Sequence, residues 1–143
     1  MEAAIVIPVF LTLVLGAIDL GVGVLRFNAL SQAARQGARQ AIVHGELAQG
    51  GWNGGSWGPN TIDCSLATPA GVDAYRAVAA ASPVLVNCPP SQTRVRVEWL
   101  DGGNTVGDRV RFTVTSDYQP MVTFVLGAPA IPLSASSTMP IAH

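Results

Sequence analysis

The chain has 143 residues, of which 49% are hydrophobic and 12% charged, and its formal net charge at pH 7 is −1. This length suits one modest domain with an appendage, and the near-neutral charge argues against a nucleic-acid-binding protein. The mean hydropathy of +0.37 is high for a soluble domain, because apolar residues are concentrated at the N-terminus.

The N-terminal stretch from Ala3 to Leu25 is almost wholly apolar and predicts a helix that spans a membrane. As a helix it would be about 34 Å long, enough to cross a hydrocarbon core. A cleaved secretory signal is disfavoured, because no basic residue precedes the stretch and the apolar run is too long. A permanent single-span anchor and a pilin-type segment processed at its N-terminus both remain open.

The flanking charges favour the processed segment. Arg26, Arg35 and Arg39 follow the apolar stretch, and no basic residue precedes it. The positive-inside rule would then place the C-terminal bulk in the cytoplasm, where a cysteine pair and a Gly/Pro-rich domain are not expected. This conflict disappears if a basic leader has been removed before Met1.

Two residues inside the stretch carry further predictions. Asp19 lies near the far membrane interface, either as an interfacial acid close to Arg26 or as a contact with a neighbouring subunit. Pro8 removes one helical hydrogen bond. If the helix begins near Ile5, this proline lies in its first turn; if it begins at Met1, a kink or a short unwound stretch is expected near residues 4–8.

The helix is predicted to continue through residues 26–45, because good helix formers follow without proline until Gly45. One helix of about 40 residues, roughly 60 Å long, is therefore expected. Ala33, Gly37 and Ala41 recur every four residues, a spacing that lets helix backbones approach closely. This face packs against the chain's own globular domain, against other copies, or against both.

A glutamate stands at the head of the apolar segment, a proline follows shortly after it, an acid lies near its end, and the stretch NALSQAARQGARQAIVHG comes next. In these features the first 45 residues resemble the TadE-like pilins of tight-adherence (Tad) systems. The matching positions are Glu2, Pro8, Asp19, Asn28, Ala29, Ala33, Ala34, Arg35, Gly37, Ala38, Arg39 and Ala41.

The resemblance implies a structural pilin subunit of an extracellular pilus used for adhesion. A prepilin peptidase would remove a leader, the helix would wait in the membrane, and an inner-membrane platform would draw it into a helical homopolymer. The glutamate, here Glu2, would neutralise the terminal amine of an adjacent subunit, here Met1. The implied assembly residues are Met1, Glu2, Ile5, Pro8, Asp19, Ala33, Arg35, Gly37 and Arg39. In pilins this glutamate is normally fifth in the mature chain, whereas here it is second.

A Gly-rich loop with Trp52 and Trp57 follows the helix. These indoles could contact a sugar or another surface, but covering the sheet or a neighbouring subunit is the favoured interpretation. Residues 70–82 predict a short helix between Cys64 and Cys88. A disulfide between these cysteines is expected for an exported chain, with two free buried thiols as the alternative. The bridge would stabilise the domain by about 3 kcal/mol.

The last third of the chain predicts an antiparallel sheet. Residues 93–100 and 107–118 alternate between apolar and polar side chains, and the DGGN sequence between them indicates a hairpin turn. A last strand is expected from Ile131 to Met139, after an apolar, proline-broken loop at residues 118–133. The predicted fold is therefore α+β, with a long helix over residues 1–45 and a globular domain over residues 46–143.

No catalytic constellation is evident, so an enzyme with a cofactor or metal is not expected. His44 and His143 are the only histidines, and neither lies in a nucleophile or zinc motif. Asp101, Asn104 and Asp108 could form a calcium site, but a solvated turn is the favoured interpretation. Two alternatives to the main filament subunit remain: a minor, priming pseudopilin, and a single-span anchor that presents a surface-binding domain through the tryptophans.

Overall fold

A computed structural model describes residues 2–46, 56–64, 93–121 and 129–142, without the side chains of residues 2–5 and Cys64. Helix α1 spans Glu2–Val43. The strands are β1 (Ile62–Cys64), β2 (Thr93–Trp99), β3 (Arg109–Tyr118) and β4 (Ile131–Pro140). The predicted α+β class is confirmed. Several predictions lie outside the described residues: Met1, Trp52, Cys88, the 70–82 helix and residues 122–128 of the 118–133 loop. The disulfide therefore stays a prediction.

Helix α1 has 42 residues, close to the predicted length, and continues through Pro8. Because it begins at Glu2, this proline lies inside the helix, and no unwound stretch interrupts residues 4–8. The Thr12 hydroxyl donates a hydrogen bond of 2.8 Å to the Pro8 carbonyl oxygen. At the other end the His44 ring lies 2.8 Å from the Gln40 carbonyl oxygen, and the predicted stop at Gly45 follows.

The four strands form one antiparallel sheet in the order β1-β2-β3-β4. The predicted hairpin joins β2 to β3, with Val95 opposite Val114 and Val97 opposite Phe112. The predicted last strand is β4, whose Ile131 lies opposite Tyr118. Strand β1 was not predicted, since three residues are too few to show alternation.

The core lies between the second half of α1 and one face of the sheet. The helix contributes small residues at positions that share one face, and the strands contribute larger apolar side chains. The fully buried helix residues are Leu30, Ala33, Ala34, Ala38 and Ala41, and those of the sheet include Val95, Val97, Val110, Phe112 and Val114. A side chain added at Gly37 would lie 2.2 Å from the Phe112 ring, so glycine permits this close approach.

Strands β3 and β4 run alongside α1. Phe112 of β3 packs on Gly37, whereas Tyr118, at the end of the same strand, reaches back to Asp19. At the opposite end of the sheet, the backbone N–H of Ala142 donates to the Ile42 carbonyl oxygen over 3.4 Å. The sheet therefore covers the helix from about Asp19 to Ile42 and leaves the earlier turns uncovered.

Contacts of Asp101, Asn104 and Asp108, the three residues of the alternative calcium site, hold the β2–β3 turn. Asp101 accepts hydrogen bonds from the backbone N–H and the guanidinium of Arg109, at 2.8 and 2.7 Å. Asp108 accepts from the backbone and hydroxyl of Thr105. The buried Asn104 accepts from the Trp99 indole N–H at 2.9 Å. These contacts form a turn, and no cluster of three metal-ligating side chains occurs among the described residues.

Candidate functional site

The most unusual surface of the molecule is the uncovered start of α1. Every side chain from residue 6 to residue 14 is exposed, although all except Pro8 and Thr12 are large and apolar. We call this segment, residues 6–14, the bare helix. Helix α1 is long and apolar enough to cross a membrane, with a mean hydropathy of 2.1 in its most apolar part. Exposed apolar surface of this extent marks a segment that lies in lipid or packs against other protein.

Asp19 fastens the end of the sheet to the helix. It is only 8% exposed. Its carboxylate accepts a hydrogen bond of 2.9 Å from the Met121 backbone N–H, and its backbone carbonyl accepts one of 3.1 Å from the Tyr118 hydroxyl. We call these contacts the Asp19 clasp. They show that Asp19 works within its own chain, and a further contact with a neighbouring subunit stays a prediction.

Tyr118 is the second member of the clasp, and Arg26 covers it. The Arg26 guanidinium lies 5.2 Å from the centre of the Tyr118 ring, a cation–π distance. Burial raises the pKa of the Tyr118 hydroxyl, and the nearby Asp19 carboxylate raises it further. The hydroxyl therefore keeps its proton and remains a donor. Arg26 and Asp19 thus both contact Tyr118, and a position of Asp19 at the membrane interface stays a prediction.

The sequence interpretation did not single out Tyr118, although a signal was present. The alternation that places Val110, Phe112 and Val114 inward continues through Ser116 to Tyr118. Extending the pattern to the end of β3 would have predicted an inward tyrosine opposite the helix. The acid that it meets lies 99 positions earlier in the chain, a pairing that no local pattern reveals.

A groove of about 450 Å³ opens beside the clasp, between α1 and the end of the sheet. The helix lines it with Gly16, Leu20, Val24 and Phe27, among others, and the sheet with Ile131 and Leu133. Its walls are almost entirely apolar apart from the clasp itself. The groove continues directly from the bare helix, so the two form one apolar surface.

The small residues predicted to join subunits are covered by the chain's own sheet. Ala33 is fully buried in the core, and Gly37 lies against Phe112. Arg35 and Arg39 are exposed on the open side of α1. In Glu2 and Ile5 only the backbone is described, and it is helical. That these six residues and Pro8 take part in assembly stays a prediction.

Trp57 lies inside the protein. It is 3% exposed, and its indole stacks on the His44 ring with centroids 4.5 Å apart. Its backbone N–H donates to the His44 carbonyl oxygen at 2.9 Å, while its indole N–H has no partner among the described residues. The position agrees with the favoured interpretation of a tryptophan that covers the core. Surface binding through Trp52 remains a prediction.

Comparison with known proteins gives one match. The profile of the family described as TadE-like protein matches residues 1–39, which include the bare helix and the Asp19 position. No curated protein and no solved structure matches the chain. The chain is thus similar to TadE-like proteins over most of its long N-terminal helix, which is also apolar enough to cross a membrane. The resemblance to TadE-like proteins, predicted from the sequence, is thus confirmed for the N-terminal segment that the match covers.

Proposed function

We propose that the chain is a structural pilin subunit that polymerises through α1 into an extracellular, Tad-type filament. The observation that carries this proposal is the bare helix, which is exposed on all sides, whereas the sheet covers one side of α1 from about Asp19 to Ile42. A helix that is apolar all round is stable only inside a larger apolar environment. In the filament that environment is a bundle of neighbouring bare helices, with the sheet domain turned outward for adhesion.

Burial of the bare helix supplies the driving force for assembly. Each Å² of apolar surface removed from water contributes about 25 cal/mol. Several large side chains per subunit, including Phe10, Leu11 and Leu13, are available for such burial. Pairing of Glu2 with the terminal amine of a neighbour sets the register, because an unpaired charge in an apolar bundle is strongly unfavourable.

The same helix supports a membrane-resident stage before assembly. Its length and hydropathy suit a single span, as expected for a subunit that waits in the cytoplasmic membrane for a prepilin peptidase and an assembly platform. A minor, priming subunit would use the same helix in the same way. A single-span anchor that presents a binding module would use it only for attachment, and would form no fibres.

The test substitutes one exposed residue of the bare helix. Ile7→Asp is expected to abolish fibres in the sheared cell-surface fraction, because it places a carboxylate in the helix bundle. Val106→Asp, in the exposed β2–β3 turn, is the matched control and should leave fibres unchanged. Glu2→Ala is expected to reduce assembly without unfolding the sheet domain. Normal fibres from both Ile7→Asp and Glu2→Ala would contradict the proposal.

A further inference from the structure

The apolar run of α1 and the sheet overlap along the helix. The uncharged stretch before the first basic residue, Arg26, includes the bare helix and continues to Leu25, interrupted only by Asp19. A span of the hydrocarbon core needs about 20 residues, which counted back from Leu25 reaches Val6. The sheet, however, is fastened to the helix at Asp19, about 10 Å before Arg26 along the helix axis. The end of the sheet therefore lies within the length of one span.

The surface at this level is apolar on both elements. On the helix, Leu20 and Val24 are 75% and 61% exposed; just after β3, Met121 is 68% exposed, and at the start of β4, Ile131 is 49% exposed. The groove opens between them and continues the surface of the bare helix without a polar break. In water these side chains would form a large exposed apolar patch, which monomeric domains rarely keep.

The polar groups at the same level are arranged for an interface with lipid. Asp19 lines the groove, but it is only 8% exposed and its carboxylate accepts the Met121 N–H. The Tyr118 ring and the Arg26 guanidinium stack on each other at the border of the apolar surface. Aromatic rings and arginines are enriched where a protein passes from hydrocarbon to headgroups.

We infer that, before assembly, the groove end of the sheet domain, defined by Tyr118, Met121 and Ile131, is sunk in the bilayer, and that phospholipid acyl chains occupy the groove. This inference rests on the proposed function, because it requires α1 to span the membrane. The occupant is lipid because the groove is continuous with the candidate span and lies within its length. The domain is then held at a fixed depth by the Asp19 clasp instead of hanging from a free linker.

The experiment measures depth by spin labelling of the full-length protein in vesicles of phosphatidylethanolamine and phosphatidylglycerol. Labels are attached at Ile131→Cys and Val24→Cys, with Val106→Cys as the control at the far end of the sheet. The unsubstituted chain, labelled in the same way, gives the background from Cys64 and Cys88. Collisions with oxygen report lipid exposure, and collisions with a water-soluble nickel chelate report aqueous exposure.

The oxygen-to-chelate collision ratio is expected to exceed one at positions 131 and 24 and to fall below one at position 106. Aqueous exposure at position 131 overturns the inference. Spin–spin broadening at position 131 that disappears on dilution with unlabelled protein also overturns it, because a second copy would then occupy the groove. A further label at Phe10→Cys separates the two proposals. If position 10 is in lipid while position 131 is aqueous, only the inference fails; if position 10 is aqueous, the membrane stage of the proposed function fails as well.

Discussion

Gly37 lies at a close contact between the helix and the sheet. The Phe112 ring occupies the space where a Cβ atom would lie, with three ring carbons within 2.6 Å of that position. Phe112 is the largest fully buried side chain among the residues that the structure describes, so the contact fixes how near β3 can approach α1. Gly37 belongs to the stretch that resembles the TadE-like proteins, and packing within this chain alone explains why a glycine stands there.

Gly37→Ala is expected to destabilise the sheet domain by about 1–3 kcal/mol, because the new methyl group must displace the Phe112 ring or the helix. The measurement is urea unfolding in detergent micelles, followed by tryptophan fluorescence. Gly21→Ala is the matched control, since no atom lies within 4 Å of the added carbon. The control should be neutral or more stable by up to about 1 kcal/mol, owing to the higher helix propensity of alanine. Equal effects of the two substitutions would contradict this account of Gly37.

Asn104→Ala is expected to destabilise the domain by about 1–3 kcal/mol, because the Trp99 indole N–H would lose its acceptor. Asn104 also donates to the Ser56 hydroxyl at 2.7 Å, so the substitution loosens the link between the turn and the segment before Trp57. Val106→Ala, in the same turn but exposed, should change stability by less than about 0.5 kcal/mol. Thermal unfolding monitored by near-ultraviolet circular dichroism compares the two.

The Asp101–Arg109 pair should make the turn sensitive to acid. Hydrogen bonds from the Arg109 side chain and backbone lower the pKa of Asp101 from 3.8 to about 2. A carboxyl whose pKa is lower in the folded state stabilises that state above its unfolded pKa and loses this contribution as the pH falls. Wild type should therefore lose stability relative to Asp101→Asn between about pH 4 and pH 2. Parallel melting curves over this range for the two proteins test the expectation.

Among the elements, the Asp19 clasp is the contact that sets how far the sheet extends along α1. It joins the middle of the apolar run to the end of β3 and to Met121. Without it, the end of β3 would be held to the helix by the Arg26–Tyr118 contact and by apolar packing beside the groove. The clasp therefore determines where the covered part of α1 begins.

Asp19→Ala is expected to release the Met121 backbone N–H and to speed its hydrogen exchange roughly fivefold, the equivalent of one hydrogen bond of about 1 kcal/mol. Asp19→Asn keeps an oxygen in the same place and should preserve most of the protection. If the alanine and asparagine variants exchange alike, the carboxylate contact seen here does not hold the strand end.

The elements that a repeating pattern defines could be predicted from the sequence, and those that depend on distant contacts could not. Uninterrupted helix formers predicted α1, and alternation predicted β2 and β3 with the correct inward side chains, while β4 was expected as a last strand without a prediction of its inward face. Strand β1 is three residues long and exists through its pairing with β2, so it has no pattern of its own. Likewise, the intrachain role of Asp19 depends on Tyr118, and that of Trp57 on His44. An isolated acid or indole does not reveal which distant residue it meets.

On the scale of the whole molecule, α1 has two roles. The bare helix lies outside the domain core, and the later turns form one of the two layers of that core. A sheet of this size cannot bury its apolar face without the layer from Leu30 to Ala41. The domain boundary predicted at residue 45 is therefore a boundary in sequence, whereas the core extends well into the helix.

This arrangement predicts which fragments fold. A chain that begins at Ile18 keeps the clasp and the helical layer, and we expect it to give a dispersed amide NMR spectrum in mild detergent. A chain that begins at Gly45 lacks the helical layer and should remain unfolded or aggregate. A folded Gly45 fragment would show that the sheet is stable without α1, contrary to the burial seen in the core.

The side-by-side course of β3, β4 and α1 also determines how the molecule responds to a mechanical pull. If the first turns are gripped and the outer domain is dragged along the helix axis, the strands are displaced lengthwise against the helix. The clasp near one end and the Ala142–Ile42 hydrogen bond at the other are then strained together with the packing between them. The force then acts as shear over the whole contact between helix and strands. The contacts must therefore break together, and not one after another.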